Sequence, residues 1–512
     1  MSQESRVKKS LLNARVNLIF YFLTLALSFF SRKIFLDTLG ADFVGLTGTL
    51  QNLLGFLNLA ELGIGSAIGY VLYKPLFDHD ETKINEIISV FGYLYRWIGK
   101  IILIAGCILA CFLPLIFPNT EFELGLIFFA YFSFLASSLI GYFANYKQTL
   151  LGADQKNYVV TSYFQTATIV KTIIQMVLAY YTGNYYLWVI IELSFGIIYS
   201  FILNWKINQV YPWLKSEVSQ GRILFKKYPE VMKYTKQLFV HKLGSFFQYQ
   251  TAPFLIYAFV SLQTVTYYGN YMIIIDKIGL LLNNFLGSIG AGVGNLIAEG
   301  NQTKIFRVFW ELIAVRFFMV GSIVYAIYSM ITSFITLWLG EKYLLSDFTL
   351  ILILMIFFVN QIRNIIDHFL NGYGLFYDIW SPLAESAIYL ICAIIGGYYI
   401  GLNGILLGNL ISLLLIICIW KPFFLFTRGF NLSVRVYWIN IFKYLLIWLS
   451  NMCIIKLLSI KYIHINSSEN FYNWILYSIM TILMFLVAYF LLLFLFTRGM
   501  RDFVKRFINL KK

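Results

Sequence analysis

Charged residues are scarce in this chain of 512 residues. Asp, Glu, Lys and Arg make up only 12% of the sequence, whereas hydrophobic residues make up 60% and the mean hydropathy is +0.75. Soluble domains usually carry about 25% charged residues, so a water-soluble protein of ordinary composition is excluded. The composition predicts a polytopic membrane protein.

Motifs for catalysis and metal binding are also missing. The five cysteines lie inside apolar runs without a C-x-x-C pair, and the four histidines are scattered. Neither a disulfide framework nor a metal site is expected. The chain has no P-loop, HExxH or nucleophile elbow, so we expect no enzyme, no cofactor and no ATP-driven pump.

Long apolar runs recur along the whole chain. A helical crossing needs about 20 apolar residues, and stretches such as LGLIFFAYFSFLASSLIGYF (124–143) do not alternate as strands would. The sequence therefore predicts an all-α integral membrane protein with about fourteen transmembrane helices. The predicted spans are 14–36, 43–73, 91–113, 122–146, 157–181, 185–208, 236–262, 265–298, 308–335, 348–373, 378–400, 402–427, 434–459 and 471–497.

The net charge of +15 is explained by membrane topology. Most Lys and Arg fall in the loops that share a side with the N-terminus, and the positive-inside rule then places both termini in the cytoplasm. The expected location is the inner or plasma membrane, and no nucleic acid is needed to account for the charge.

A weak internal repeat organises the chain. VGLTGTLQNLLGFLNLAELGIGSA from Val44 aligns with YGNYMIIIDKIGLLLNNFLGSIGAG from Tyr268, which places Gly63 on Gly287. This predicts two parallel six-helix lobes with a substrate cleft between them. The predicted divisions are an N-lobe at 1–208, a basic cytoplasmic linker at 209–235, a C-lobe at 236–428, and two additional helices with a basic tail at 429–512.

Several charges lie inside predicted spans, where a lipid-facing charge is costly. Arg307 with Glu311, and Arg363 with Asp367, are spaced i,i+4 and are expected to pair. Cations with no such partner are Lys171, Lys277 and Arg316, and Arg32 and Lys33 are adjacent at the outer end of the first span. They predict either a cationic cavity for a phosphate or pyrophosphate, or a set of interhelical salt bridges.

Polar and acidic residues lie in the same spans. Asn52, Asn58 and Gln250 are candidates for binding a sugar through hydrogen bonds. Glu61 and Asp276 are candidates for taking up H⁺ or Na⁺ during transport. For Glu61 the alternative is a neutral carboxyl group that is hydrogen-bonded between helices.

Three stretches resemble a known family: SRKIFLDTLGADFVGL (31–46), LAELGIGSA (59–67) and YYGNYMIIIDKIGLLLNNFLGSIGAGVGNLIAEGN (267–301). They are similar to the Wzx-type polysaccharide repeat-unit flippases of the MOP superfamily, which also contains MATE exporters and lipid II flippases. The resemblance implies a V-shaped fold and transport of undecaprenyl-pyrophosphate-linked oligosaccharides to the outer leaflet for O-antigen, capsule or exopolysaccharide. It also implies coupling to H⁺ or Na⁺ and, as partners, a polysaccharide polymerase and a chain-length regulator.

The chain departs from the family pattern in the seventh span. An Asp often follows the Thr there, whereas Thr251 is followed by Ala252 and Pro253. Two rival functions stay open: a MATE-like antiporter of drugs or cations, and a membrane glycan polymerase or glycosyltransferase. The first would need an acidic cleft, and the second a large outer loop.

Overall fold

The computed structural model describes residues 6–61, 63–118, 120–286, 289–375, 378 and 380–509, and within them the side chains at 6–11, 60, 237–238, 240–249, 284–286, 291, 507 and 509 are not described. The described residues form helices and connecting turns without any strand, so the predicted all-α fold class is confirmed. Ten of their helices are long and apolar enough to cross a membrane. The chain is a multi-pass membrane protein, and the predicted number of fourteen spans stays a prediction.

The chain divides into two compact units, Met1–Thr266 and Tyr267–Lys512. The helices of the first unit are α1 (Arg6–Thr38), α2 (Gly40–Leu57), α3 (Ile64–Phe77), α4 (Glu81–Ile116), α5 (Leu124–Phe143), α6 (Gln148–Ala153), α7 (Asn157–Thr182), α8 (Tyr185–Val210), α9 (Gly221–Phe225), α10 (Pro229–Phe259) and the first turn of α11 (Leu262–Leu286). Its buried apolar side chains come mainly from α2, α4 and α5.

The second unit contains the rest of α11 and the following helices. They are α12 (Ile289–Ala298), α13 (Gln302–Trp338), α14 (Asp347–Gly372), α15 (Trp380–Ile400), α16 (Leu402–Leu413), α17 (Lys421–Phe424), α18 (Arg435–Tyr462), α19 (Phe471–Phe496) and α20 (Arg498–Asn509). π-Helical turns at Leu414–Trp420 and Leu425–Gly429 flank α17. Small residues allow α15 and α16 to touch: a β-carbon built on Gly404 would lie 1.8 Å from the carbonyl oxygen of Gly396.

One predicted span is interrupted within the described residues. The span predicted at 43–73 is wrong as a single helix, because α2 ends at Leu57 and α3 begins only at Ile64. In the span predicted at 265–298, α11 is described to Leu286 and α12 from Ile289, and the two residues between them lie outside the described residues. Gly287, which the repeat aligns with Gly63, lies outside the described residues.

The segment predicted as a linker, 209–235, packs on α4 of the first unit. Asn85 Oδ1 accepts from the Lys215 amide at 2.7 Å, and Lys227 Nζ lies 2.7 Å from Glu86 Oε2. Burial and a hydrogen bond donated to Glu86 raise the pKa of Tyr228. These contacts attach the segment to the first unit, which ends at Thr266.

Candidate functional site

The break between α2 and α3 is built by local backbone conformation. Asn58–Glu61 forms one 3₁₀ turn, and Gly63 follows with φ at +92°. A side chain would strain this left-handed backbone, so glycine suits the position. The break places Glu61 where the regular α-helical hydrogen-bond pattern stops, a geometry that membrane proteins tolerate inside a bundle or beside a cavity.

Glu61 is held by two tyrosines from different helices. Tyr95 of α4 donates to Oε1, and Tyr142 of α5 donates to Oε2 at 2.7 Å. Both tyrosines are buried, with 8% and 5% of their surface exposed. The carboxylate therefore ties three elements of the first unit together: the break, α4 and α5.

Tyr142 also reaches a second acceptor. Its hydroxyl oxygen lies 2.9 Å from Asn58 Oδ1, as well as 2.7 Å from Glu61 Oε2. A phenol has one hydrogen, so Tyr142 donates to only one of the two oxygens at a time. A protonated Glu61 would instead donate to Tyr142 and release its hydrogen for Asn58.

A row of polar positions continues from this cluster along α2. Asn52, Gly55, Asn58 and Glu61 recur every three residues, and Gln250 of α10 packs against Gly55. A β-carbon built on Gly55 would lie 2.6 Å from Gln250 Oε1. We call Asn52, Asn58, Glu61 and Gln250 the polar row. Asn52 lies on α2, Asn58 and Glu61 lie in the turn that follows it, and Gln250 lies on α10, which packs against α2 at Gly55.

The predicted cations of the first unit differ in their surroundings. Arg32 Nη2 donates to the carbonyl oxygen of Thr266 at 3.0 Å, and Lys33 is exposed on the same helix. Lys171 Nζ lies 2.6 Å from Glu192 Oε1 on the neighbouring helix α8. Gln175 donates to the other oxygen of Glu192 at 3.0 Å, so Lys171 takes part in an interhelical ion pair.

The predicted residues of the second unit are Asp276, Lys277 and Arg316. Arg316 is buried between α13 and α14, where Nε donates to the Gln361 carbonyl at 2.8 Å and Nη2 to Gln361 Oε1 at 2.7 Å. Asp276 is exposed on α11 and Lys277 follows it. Gln361 also packs against α11, because its Nε2 would lie 3.4 Å from a β-carbon on Gly279.

An ionic network in the second unit joins three helices. Arg363 binds Asp367 at 3.0 Å, which confirms the predicted i,i+4 pair, and also binds Glu385 of α15 at 3.1 Å. Lys421 of α17 reaches the other oxygen of Asp367 at 2.8 Å. Two cations and two carboxylates balance one another, so α14, α15 and the π-helical segment are cross-linked without net charge.

Tyr95 and Tyr142 were missed by the sequence analysis. Tyrosine is abundant in this chain, with 37 copies, so residue type alone marks neither of them. Their separations from Glu61 are 34 and 81 residues, beyond the reach of any pattern on one helix. No sequence signal available in a single chain would have selected them.

The sequence matches no protein-family model and no curated protein. The structure is similar to that of the lipid II flippase MurJ in an inward closed conformation, with a TM-score of 0.64, 15% identity, and coverage of 94% of this chain and 98% of MurJ. It is also similar to an inward-facing multidrug resistance MATE family transporter of the MOP superfamily, with a TM-score of 0.55, 14% identity, and coverage of 80% and 97%. The chain therefore has the all-helical fold of MOP transporters.

Proposed function

We propose that the protein is a flippase that moves undecaprenyl-pyrophosphate-linked oligosaccharide repeat units from the cytoplasmic to the outer leaflet. The similarity to a lipid II flippase over 94% of this chain and 98% of the other carries the proposal. The resemblance of 31–46, 59–67 and 267–301 to repeat-unit flippases supports the finer choice of cargo. In this proposal the protein lies in the inner or plasma membrane with both termini cytoplasmic, and it supplies units to a polymerase.

The pyrophosphate is proposed to bind cations inside the spans. Arg and Lys donate charge-assisted hydrogen bonds to phosphate oxygens, and Arg can do so with two parallel bonds. Arg32, Lys33 and Lys277 are the first candidates. Lys171 and Arg316 belong to the same proposal. Glu192 engages Lys171, Gln361 engages Arg316 and the Thr266 carbonyl engages Arg32, so a phosphate would have to compete for the hydrogens of all three.

The polar row is proposed to bind sugar and to couple transport to H⁺ or Na⁺. Amide groups of Asn52, Asn58 and Gln250 offer both donors and acceptors to sugar hydroxyls. Uptake of a proton by Glu61 would reverse the hydrogen bond with Tyr142 and pass that hydroxyl's hydrogen to Asn58. Proton uptake by Glu61 at the break is thereby linked to the hydrogen bonding of Asn58. Asp276 is the second coupling candidate.

Sidedness of the lipid-linked glycan tests the proposal. In cells that lack the protein, whole repeat units should accumulate and stay inaccessible to a sugar label applied outside intact spheroplasts. Units that reach the outside but stay unpolymerised would overturn the proposal and indicate a polymerase. Arg32→Ala and Lys277→Ala should abolish export while folded protein persists. Lys443→Ala, an exposed lysine of α18, is the matched control and should export normally.

A second function is favoured by the MATE similarity, at a TM-score of 0.55. An antiporter of organic cations needs acidic side chains that attract its cargo. Within the described spans, Glu192, Glu385 and Asp367 are each paired with a cation. Increased drug sensitivity in cells lacking the protein, together with normal surface glycan, would favour this function over the first.

A further inference from the structure

The last helix, α20, is fixed along α13. It begins at Arg498, two residues after α19 ends at Phe496. A β-carbon on Gly499 would lie 2.2 Å from the carbonyl oxygen of Trp310, and Met500 is only 2% exposed. Further along, Arg506 Nη1 lies 3.1 Å from Glu311 Oε2. α20 is thus a packed part of the second unit.

A groove with a volume of about 600 Å³ lies between these two helices. We call it the basic groove; it is lined by Lys304, Arg307, Val308 and Glu311 of α13 and by Asp502, Lys505 and Arg506 of α20. Six of these seven residues are charged, four of them positively and two negatively. The lining therefore carries a net positive charge and attracts an anion.

The four cations of the basic groove fall into two groups, of which only the first is engaged in ion pairs. Arg506 is engaged by Glu311, and Lys304 Nζ lies 2.5 Å from Glu299 Oε2. Arg307 and Lys505 are exposed, and within the described part of the chain neither takes part in an ion pair. The predicted pair of Arg307 with Glu311 is therefore wrong, because Glu311 binds Arg506 of α20 instead. Arg307 and Lys505 have donors available for phosphate oxygens.

The basic groove lies next to the end of a candidate membrane span. α19 is a candidate span and α20 follows it immediately. α13 has 37 residues, whereas about 20 suffice to cross the hydrocarbon core, so its first turns can extend past the core. Leu495 and Phe496, at the end of α19, are 61% and 52% exposed, as lipid-facing residues would be.

From this placement we propose that the basic groove binds the headgroup of an anionic phospholipid. Arg307 and Lys505 would hold the phosphate, and the acyl chains would lie against the exposed end of α19. Basic pockets next to spans are suited to anionic headgroups, and each Lys or Arg adds to the attraction. The binding is separate from transport of the glycan cargo and does not rest on the proposed function.

Lipid titration of the purified full chain tests the proposal. Native mass spectrometry would compare short-chain phosphatidylglycerol with phosphatidylcholine, and phosphatidylglycerol should bind more tightly. Arg307→Gln/Lys505→Gln should weaken its binding about thirtyfold, the loss expected for two surface cations. Arg222→Gln/Lys226→Gln, exposed cations of the first unit, should change it less than threefold, as an order-of-magnitude limit on that same scale.

Three outcomes would overturn the proposal. The first is equal binding of the two lipids, and the second is an equal loss of phosphatidylglycerol binding in both double variants. The third is an increase in thermal stability with inorganic phosphate as large as that with phosphatidylglycerol, which would indicate a site for a free anion. Arg307→Lys/Lys505→Arg keeps both charges and should retain the lipid preference. Its failure to do so, with the protein still folded, would also count against headgroup binding.

Discussion

Tyr142 donates a hydrogen bond of 2.7 Å to the carboxylate of Glu61 and so joins α5 to the break that follows α2. An acidic side chain in an apolar stretch is costly unless its oxygens are hydrogen-bonded. Tyr95 supplies the second bond from α4. Glu61 is therefore hydrogen-bonded between helices, and its role in ion coupling stays a prediction.

Tyr142→Phe tests the cluster. The substitution removes the donor from a buried acceptor, so we expect the free energy of unfolding to fall by about 1–3 kcal/mol. Transport should fall further, because Asn58 and Glu61 lose the hydroxyl between them. Thermal unfolding in detergent and a glycan export assay measure the two effects.

The control lies on the same helix. Tyr131 is buried in α5 and donates to the carbonyl oxygen of Gly106 at 2.8 Å. Tyr131→Phe should lower stability by a similar amount and leave export of the remaining folded protein unchanged. If both variants lose export equally, the cluster has only a structural role.

Gly45→Ala and Gly48→Ala should have opposite effects although both lie on α2. A β-carbon on Gly45 would lie 2.1 Å from the carbonyl oxygen of Leu262, which only a shift of the α11 backbone could relieve. We expect a loss of about 1–3 kcal/mol in unfolding free energy. Gly48 has no atom within 4 Å of that position, so alanine should stabilise the helix by about 0.5–1 kcal/mol. Unfolding curves showing equal effects would contradict this packing.

Substitution of Lys171 tests whether this residue serves only in a salt bridge or also binds the cargo. Lys171→Gln leaves Glu192 without its cation, so stability should fall, and Lys171→Gln/Glu192→Gln should recover part of the loss. A double-mutant cycle by thermal unfolding should give a coupling energy of about 0.5–3 kcal/mol. Normal export by the double variant would assign Lys171 to structure. Lost export from a stable double variant would assign it to the cargo.

The sequence predicted features that repeat within one helix, but it did not predict which side chains contact each other between helices. Hydropathy located the helical segments, and i,i+4 spacing identified Arg363 with Asp367. The break at Gly63 was not predicted, because a hydropathy window averages over many residues and does not detect a single residue with left-handed backbone conformation. Glu192 was not predicted as the partner of Lys171 because it lies on the next helix. Residue spacing within one helix does not show which faces of α7 and α8 are in contact.

The network around Asp367 gives the last prediction, which follows from the number of cations that each carboxylate contacts. Asp367 contacts both Arg363 and Lys421, whereas Glu385 contacts Arg363. Asp367→Asn and Glu385→Gln both leave two cations with one carboxylate, but Asp367→Asn removes the carboxylate that contacts both cations, whereas Glu385→Gln leaves Asp367 bridging Arg363 and Lys421. Asp367→Asn should therefore destabilise more. Removing one partner of a buried ion pair costs about 3–5 kcal/mol.

Asp367→Asn/Lys421→Met is the decisive variant for this network. It leaves Arg363 with Glu385 at 3.1 Å and restores the balance of charge, so it should regain much of the stability lost in Asp367→Asn. Thermal unfolding of the single and double variants measures this recovery. A double variant no more stable than Asp367→Asn would mean that Lys421 contributes to folding through its stem rather than its charge. In that case the π-helical turns beside it would be held by packing alone.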